Sequence, residues 1–213
     1  MEQINKYWDR IHLQYQSSYD EWLNKYVHLF NENDRIIELG CGRAYCSKYL
    51  LDNGFLNIMA CDISGEVLKI VHDTIPNLKT LQFDMSEGLP FDDNSANIII
   101  ADLCLHYFDA TTTAFLLDEI HRVLIDNGLL IGRVNATNDS LHIPSNASEI
   151  EENYYFDGNI YKSFFESKDF ETFFNGFEIE YLELKEMNRY ERPKMLWEFC
   201  IKNVKEKRKV RSK

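Results

Sequence analysis

The stretch from Arg35 to Ala44 reads RIIELGCGRA and passes from an apolar run through two glycines into a helical pattern near Tyr45. Gly40 and Gly42 predict a tight turn after a buried strand, because glycine accepts positive φ at little steric cost. Such a turn lets the main chain approach a ligand, and the helix after it directs free N–H groups at the same point. The sequence therefore predicts a strand–turn–helix unit with a ligand site at the turn.

From residue 35 onward, apolar runs alternate with helical patterns. The apolar runs are 35–39, 57–62, 79–83, 96–103 and 128–135, and the helical patterns are 44–53, 64–75, 111–125 and 167–175. The nearly continuous apolar run 96–101 is typical of a strand buried on both faces of a parallel sheet. Residues 177–184 and 196–202 alternate as an antiparallel pair does. The prediction is an α/β, doubly wound, mostly parallel sheet that ends in an antiparallel hairpin and binds ligands at the carboxyl ends of its strands.

Length and composition favour one domain, with residues 1–204 as its body. The chain has 213 residues, 45% of them hydrophobic, and no apolar run long enough to cross a membrane. Its first residues lack the pattern of a signal segment, so a cytoplasmic protein is expected. Cys41 and Cys46 lie close together, but no second pair or nearby histidine completes a zinc set, and no metal site is predicted.

The charge is unevenly distributed. The formal net charge is −12, and the last nine residues, 205–213, contribute +5, so the first 204 residues carry −17. An acidic body repels phosphate backbones, which disfavours a nucleic acid gripped by the main domain. The basic segment 205–213 is expected to be a disordered, solvated tail.

Glu38-Leu-Gly-Cys-Gly42 resembles the first motif of class I S-adenosylmethionine-dependent methyltransferases, E/D-x-G-x-G. A dinucleotide-binding G-x-G-x-x-G motif would need glycine or alanine at position 45, where Tyr45 stands. The segment from Glu119 to Gly128 is also similar to a turn of that methyltransferase family. The resemblance implies a Rossmann-like, seven-stranded sheet with S-adenosyl-L-methionine as cofactor. Within that family, the chain is similar to the enzymes of the tellurite-resistance-like group, which act on small molecules.

Asp62 closes the second predicted strand about twenty residues after the glycines, where a carboxylate can accept both ribose hydroxyl protons. Its alternative role is to cap the helix that begins near Ser64. By resemblance, Ile63 packs on the adenine ring, Asp84 accepts from the adenine amino group, and the N–H of Met85 reaches a ring nitrogen.

The resemblance assigns further cofactor contacts to the turn and to the fourth strand. They are Glu38, Gly40, Cys41 and Gly42 at the first turn, and Asp102, which would hold the methionyl part.

The segment 101–108, ADLCLHYF, lies where the family places the reacting methyl group. It is neither N-P-P-Y nor D-P-P-Y, so a small-molecule acceptor is favoured over a nucleic-acid base. His106 can take a proton from the acceptor, or it can be a packing histidine. Tyr107 and Asn135 are candidate acceptor contacts, although Asn135 can equally satisfy loop backbone.

Two segments are predicted as lids over the cleft. Residues 1–30 carry aromatic stripes at helical spacing, and Tyr7-Trp8-Asp9 resembles a Y-W-D sequence often found in the helical lid of these methyltransferases. Tyr7 and Tyr15 are therefore lid candidates. Residues 136–162 form a long connection with weak periodicity and an aromatic end, which favours a second lid.

The function predicted from the sequence is methyl transfer from S-adenosyl-L-methionine to a small molecule. Two alternatives stay open at this point: an NAD(P)-dependent oxidoreductase on a related fold, and a non-catalytic S-adenosylmethionine-binding protein.

Overall fold

The computed structural model describes residues 2–14, 18–139, 141–143, 147–190 and 192–207. Tyr15 and the tail residues 208–213 lie outside that set. The helices are α1 (Glu2–Gln14), α2 (Tyr45–Asp52), α3 (Gly65–Thr74), α4 (Ala110–Val123) and α5 (Ser167–Phe173). The strands are β1 (Ile36–Leu39), β2 (Ile58–Asp62), β3 (Lys79–Gln82), β4 (Ala96–Asp102), β5 (Leu124–Asn135), β6 (Ser148–Glu151), β7 (Tyr154–Phe156), β8 (Tyr161–Ser163), β9 (Phe177–Met187) and β10 (Lys194–Asn203).

The main sheet has seven strands in the order β3-β2-β1-β4-β5-β10-β9. The first five run parallel, and β10 pairs antiparallel with both β5 and β9. Strand order reverses between β1 and β4, so the turns after these two strands meet at one edge of the sheet. This architecture confirms the fold predicted from the sequence.

Apolar side chains cover both faces of the sheet, which explains the continuous apolar runs of β1 and β4. On one face, Leu50 of α2 and Val67 of α3 pack with Trp22 from the segment before β1. On the other face, Ile120 of α4 and Phe170 of α5 complete the core. The sheet is thus a rigid central layer that fixes where each strand ends.

Two parts of the chain differ from the sequence prediction. Residues 148–163 form a small antiparallel sheet, β6-β7-β8, instead of an irregular connection. Stacked aromatic rings stabilise it, among them Tyr154 and Tyr161 with centroids 5.3 Å apart. Of residues 1–30, where the aromatic stripes predict one or two helices, the second part is a 3₁₀ segment, Trp22–Leu29, which follows Glu21 at a φ of 60°.

Within the described residues, no helix combines the length and the apolar character needed to cross a membrane.

Gly132 lies where β5 passes between the β4 backbone and the core ring of Phe199. A Cβ at this position would lie 2.6 Å from the carbonyl oxygen of Ala101 and 2.7 Å from Phe199. We therefore expect Gly132→Ala to lower the free energy of unfolding by about 2 kcal/mol, because neither the strand nor the ring can move freely. Urea denaturation measures this change. Gly54→Ala is the control: its Cβ meets no atom within 4 Å, and only the positive φ costs about 1 kcal/mol. Equal losses in the two variants would contradict the packing argument.

Candidate active site

Gly40 and Gly42, in the turn after β1, have different structural roles. Both have positive φ, 58° at Gly40 and 51° at Gly42. A Cβ on Gly40 would lie 2.4 Å from the Cβ of Cys104, so this glycine lets the turn after β4 pack against the turn after β1. A Cβ on Gly42 would lie 3.3 Å from the imidazole of His12 in α1. Gly42 therefore faces the space between the turn after β1 and helix α1, which we call the crevice.

Glu38 is buried beneath the turn and holds the start of α2. Its carboxylate accepts hydrogen bonds from the backbone N–H of Ser47, at 3.0 Å, and from the Ser47 hydroxyl. The residue before the helix, Ala44, offers no side-chain cap, so Glu38 satisfies a free N–H of the first turn. Burial raises the pKa of Glu38 to about 7, although the bonds from Ser47 oppose the shift.

Asp62 joins the first two turns of the sheet. One carboxylate oxygen accepts from the N–H of Gly42 at 2.8 Å, and the other accepts from the N–H of Ser64 at 2.9 Å. Burial raises the pKa of Asp62, and the neighbouring His12 opposes that rise. Each oxygen keeps a second lone pair, so the carboxylate can still accept from a pair of hydroxyl groups. The helix cap proposed as the alternative role belongs instead to Ser64, whose hydroxyl accepts from the N–H of Val67.

A pocket of about 420 Å³ opens at the carboxyl ends of β2 and β3. Ile63 and Phe83 give it apolar walls, and Asp84 contributes a carboxylate. One oxygen of Asp84 accepts from the N–H and hydroxyl of Ser86; the other has no hydrogen-bond partner among the described residues. Met85 follows Asp84 in the chain, and its methyl carbon lies 3.8 Å from the position of a Cβ on Gly40.

Asp102 ends β4 inside a buried ion network. It accepts from Arg133 at 2.7 and 3.0 Å and from Arg189 at 3.0 Å. Arg133 also donates to Asp20 at 2.7 Å and lies over the ring of Trp22. Burial acts to raise the pKa of Asp102, but the two guanidinium groups outweigh it and hold that pKa below its usual value.

His106 lies in the 3₁₀ turn Leu105–Tyr107 after β4 and is fully buried. Its Nδ1 accepts from the backbone N–H of Asn135 at 3.4 Å, so the proton of the neutral ring lies on Nε2. Burial lowers the pKa of His106 well below its ordinary value, and nearby Lys194 and Lys162 act in the same direction. The side chain of Asn135 donates to the carbonyl oxygen of Ser163 in β8.

Helix α1 covers the crevice. Asp9 accepts from the Ser64 hydroxyl at 2.6 Å, and Arg43 donates to the carbonyl oxygen of His12 at 2.9 Å. Trp8 packs edge-on against Tyr107, with ring centroids 4.7 Å apart. Tyr7 packs against Trp8 on the same helix. The imidazole of His12 lies beside Gly42, and its charge acts on Asp62.

The structure brings most of the predicted site residues to one edge of the sheet. Cys41 is buried in the turn, and its N–H donates to the carbonyl oxygen of Cys61. In the sequence, Asp9 was identified only as part of a lid motif. No sequence pattern identified His12, Asp20, Arg189 or Lys194 as site residues, because each reaches this region from an element far away in the chain. Sequence patterns identify strand ends, and they carry no information about which distant side chain lies opposite.

Comparison with known proteins agrees with this geometry. A family profile described as a methyltransferase domain matches residues 37–132. Human arginine-hydroxylase NDUFAF5, mitochondrial, is 33% identical over 97 residues, which are 45% of this chain and 27% of that protein. Human eEF1A lysine and N-terminal methyltransferase is 27% identical over 142 residues, 60% of this chain and 19% of that protein. The chain therefore spans about a quarter or less of these curated relatives.

Among solved structures, an S-adenosylmethionine-dependent methyltransferase from Methanosarcina mazei has a TM-score of 0.72 at 19% identity. That match covers 89% of this chain and 99% of the other. Likeness at this identity shows the fold. Together with the family profile, it supports S-adenosylmethionine as the cofactor.

The raised pKa of Glu38 predicts a pH-dependent stability. The folded protein binds this proton more tightly than the unfolded chain, so the contribution of Glu38 is complete below its ordinary pKa of 4.5 and is lost as the pH rises through about 7. Between pH 4.5 and 8 the wild type should lose roughly 2 to 3 kcal/mol more unfolding free energy than Glu38→Gln. Denaturant titrations of the apoprotein at both pH values measure the difference. Parallel pH profiles for the two proteins would refute the assignment.

Proposed function

We propose that this protein is an S-adenosylmethionine-dependent methyltransferase that acts on a small molecule. The observation that carries the proposal is the placement of two carboxylates and an apolar wall at the ends of adjacent strands. Asp62 follows β2, Asp84 follows β3, and Ile63 lies in the pocket between them.

These groups fit an adenosine. The remaining lone pairs of Asp62 suit a ribose diol, and the unpartnered oxygen of Asp84 suits an amino group. Ile63 and Phe83 offer apolar surface to a flat ring. The N–H groups of the turn after β1 are largely committed to Asp62 and to Cys61, which fixes the turn in one conformation.

The methionyl end would lie over the buried carboxylates Glu38 and Asp102. The ion pairs with Arg133 and Arg189 balance the negative charge of Asp102 and fix the orientation of its carboxylate. Asp102 is therefore ionised without the cost of an unpaired buried charge. When bound, S-adenosylmethionine supplies a methyl group on a sulfonium, an electrophile that needs no further activation. The protein is then required to orient the acceptor and to exclude water.

His106 acts in this proposal as a hydrogen-bond donor. Its Nδ1 is occupied by the N–H of Asn135, and the proton on Nε2 is available to an acceptor oxygen or anion. A proton-accepting role for His106 stays a prediction from the sequence. It would require the ring to gain a second proton at Nδ1, against a lowered pKa and against the Asn135 N–H.

Enclosure favours a small acceptor. Trp8 of α1 packs on Tyr107, and the hydroxyl of Ser163 in β8 donates to the carbonyl oxygen of Phe108, so α1 and the small sheet flank the same turn. The relatives named above include a hydroxylase and a protein methyltransferase, so the reaction and the acceptor size both need a direct test. The tellurite-resistance-like subgroup and the cytoplasmic location stay predictions.

Asp62→Ala tests the cofactor site. Loss of two charge-assisted hydrogen bonds to the ribose should weaken binding of S-adenosylhomocysteine by about 5- to 150-fold, corresponding to roughly 1 to 3 kcal/mol. Isothermal titration calorimetry measures it. Asp73→Ala is the matched control, because Asp73 is an exposed carboxylate on α3 far from the crevice. Equal affinities for the two variants would place the cofactor elsewhere.

The reaction is tested with methyl-labelled S-adenosylmethionine and a broad panel of small acceptors. Transfer of label to a small molecule supports the proposal. Binding of NAD(P) without S-adenosylhomocysteine would establish the oxidoreductase instead, and binding of S-adenosylhomocysteine without transfer to any acceptor would establish a non-catalytic binder. Mass analysis of the product separates methylation from hydroxylation.

Helix α1 should open to admit the cofactor, because His12 lies beside Gly42, next to the proposed ribose position. Asp9→Ala removes the bond to the Ser64 hydroxyl, so we expect association of S-adenosylhomocysteine to become several times faster in stopped-flow measurements. Leu13→Ala is the control, since Leu13 is exposed on the same helix. Association rates unchanged in Asp9→Ala would show that α1 does not gate entry.

A further inference from the structure

A second cluster of buried polar side chains lies beyond the cofactor residues, at the end of β5. His106, Asn135 and Asp139 are each at most 2% exposed. Each has one polar atom that makes no hydrogen bond to any of the residues described by the structure: Nε2 of His106, Oδ1 of Asn135 and Oδ2 of Asp139. Buried polar atoms are nearly always bonded, so three unpartnered ones together indicate that the cluster binds something.

The three atoms have defined hydrogen-bonding roles. Nε2 of His106 is a donor, because Nδ1 accepts from the N–H of Asn135. Oδ1 of Asn135 is free to accept, because the amide nitrogen donates to the carbonyl oxygen of Ser163 at 3.2 Å. Oδ2 of Asp139 is also an acceptor, and its other oxygen is held by His142 at 2.7 Å. The cluster thus offers a donor and two acceptors in fixed positions.

Lys194, the first residue of β10, adds a cation beside this cluster: the carbonyl oxygen of the next residue, Met195, accepts from the N–H of Ala136, and the charge of Lys194 acts on His106. Other cations in this region are paired, Lys162 with Asp157 at 3.0 Å and Arg189 with Asp102 at 3.0 Å. Lys194 has neither a hydrogen bond nor an ion pair with any residue that the structure describes. Burial lowers the pKa of Lys194 to about 8, while the charge of Asp139 acts to raise it.

The charges of this cluster suit a ligand with both signs. Lys194 and Asp139 influence each other, but they do not form an ion pair. The Lys194 ammonium and the Asp139 carboxylate are therefore both partly removed from water while some of their hydrogen-bonding positions are unused. This costs free energy, and a bound group of opposite charge would recover part of it. A simple anion would satisfy Lys194 and meet repulsion from Asp139, and a simple amine would do the reverse. A molecule with a carboxylate and an amine satisfies both.

We propose that the methyl acceptor is a zwitterion of the amino-acid type. Its carboxylate binds Lys194 and the Nε2–H of His106, and its amine donates to Asp139 and Asn135. The proposal rests on the proposed methyltransferase function and names the substrate class of that site. The residues come from β5, from the loop after it, from the turn after β4 and from β10, so the site exists only in the folded chain.

Ligand-observed NMR with S-adenosylhomocysteine present tests the proposal. The probes are the common amino acids, each with a deaminated carboxylate and a decarboxylated amine of the same side chain. We expect at least one amino acid to bind at least tenfold more tightly than both of its counterparts. Absence of amino-acid binding, or equal binding of a counterpart, would overturn the proposal.

Two variants assign the two halves of the site. Lys194→Met should weaken amino-acid binding about tenfold and remove the preference over the decarboxylated amine, and Lys194→Arg should restore it. Asp139→Asn should remove the preference over the deaminated carboxylate. Lys168→Met is the control, since Lys168 forms only exposed ion pairs with Glu152 and Glu166. Unchanged preferences in both site variants would overturn the assignment.

Calorimetry with S-adenosylhomocysteine keeps this test separate from the proposed function. Both site variants should bind the cofactor product with wild-type affinity, which also shows that they fold. If the wild-type protein does not bind S-adenosylhomocysteine, the methyltransferase proposal itself is refuted.

Discussion

The carboxylate of Asp62 is the interaction on which the organisation of this site depends. It accepts one backbone N–H from the turn after β1 and one from the turn after β2, so a single side chain sets the distance between two crossovers of the sheet. Charge-assisted bonds to main-chain N–H groups are stronger than neutral ones and leave little freedom to the turns. The crevice between these turns is therefore formed before any ligand enters.

The buried network around Asp102 gives the neighbouring part of the crevice a similar rigidity. Burying a carboxylate costs free energy, and Arg133 of β5 and Arg189 of the loop between β9 and β10 offset that cost. Asp20 extends the network to the segment just before Trp22–Leu29, so that segment is tied electrostatically to β5. The two arginines balance the charges of Asp102 and Asp20, so this part of the crevice contains several ionic groups but little net charge. Such a surface would suit the proposed cofactor end, which carries both an amine and a carboxylate.

The family match covers the part of the chain that carries Glu38, Asp62, Asp84 and Asp102. The methyltransferase-domain match ends at residue 132, before Asn135, β6-β7-β8 and β10. Helix α1 also precedes the match. Most elements around the proposed acceptor thus lie outside the matched region, and only the turn that carries His106 lies within it. This arrangement is consistent with a common cofactor-binding frame and an acceptor site that differs from one chain to another.

The sequence by itself determined the sheet, its strand ends and the glycine turn, because buried strands and glycine turns impose local patterns that are visible in a single chain. It also located Asp62 and Asp84, since both directly follow apolar runs. Tertiary structure alone decided that His12 lies near Asp62, that Asp102 is neutralised by Arg133 and Arg189, and that the charge of Lys194 acts on His106. Those contacts join residues far apart in the chain, and a long-range contact between polar side chains leaves no periodic mark in the sequence. The small sheet β6-β7-β8 escaped prediction for a related reason: it is mostly exposed, so its strands need no apolar alternation.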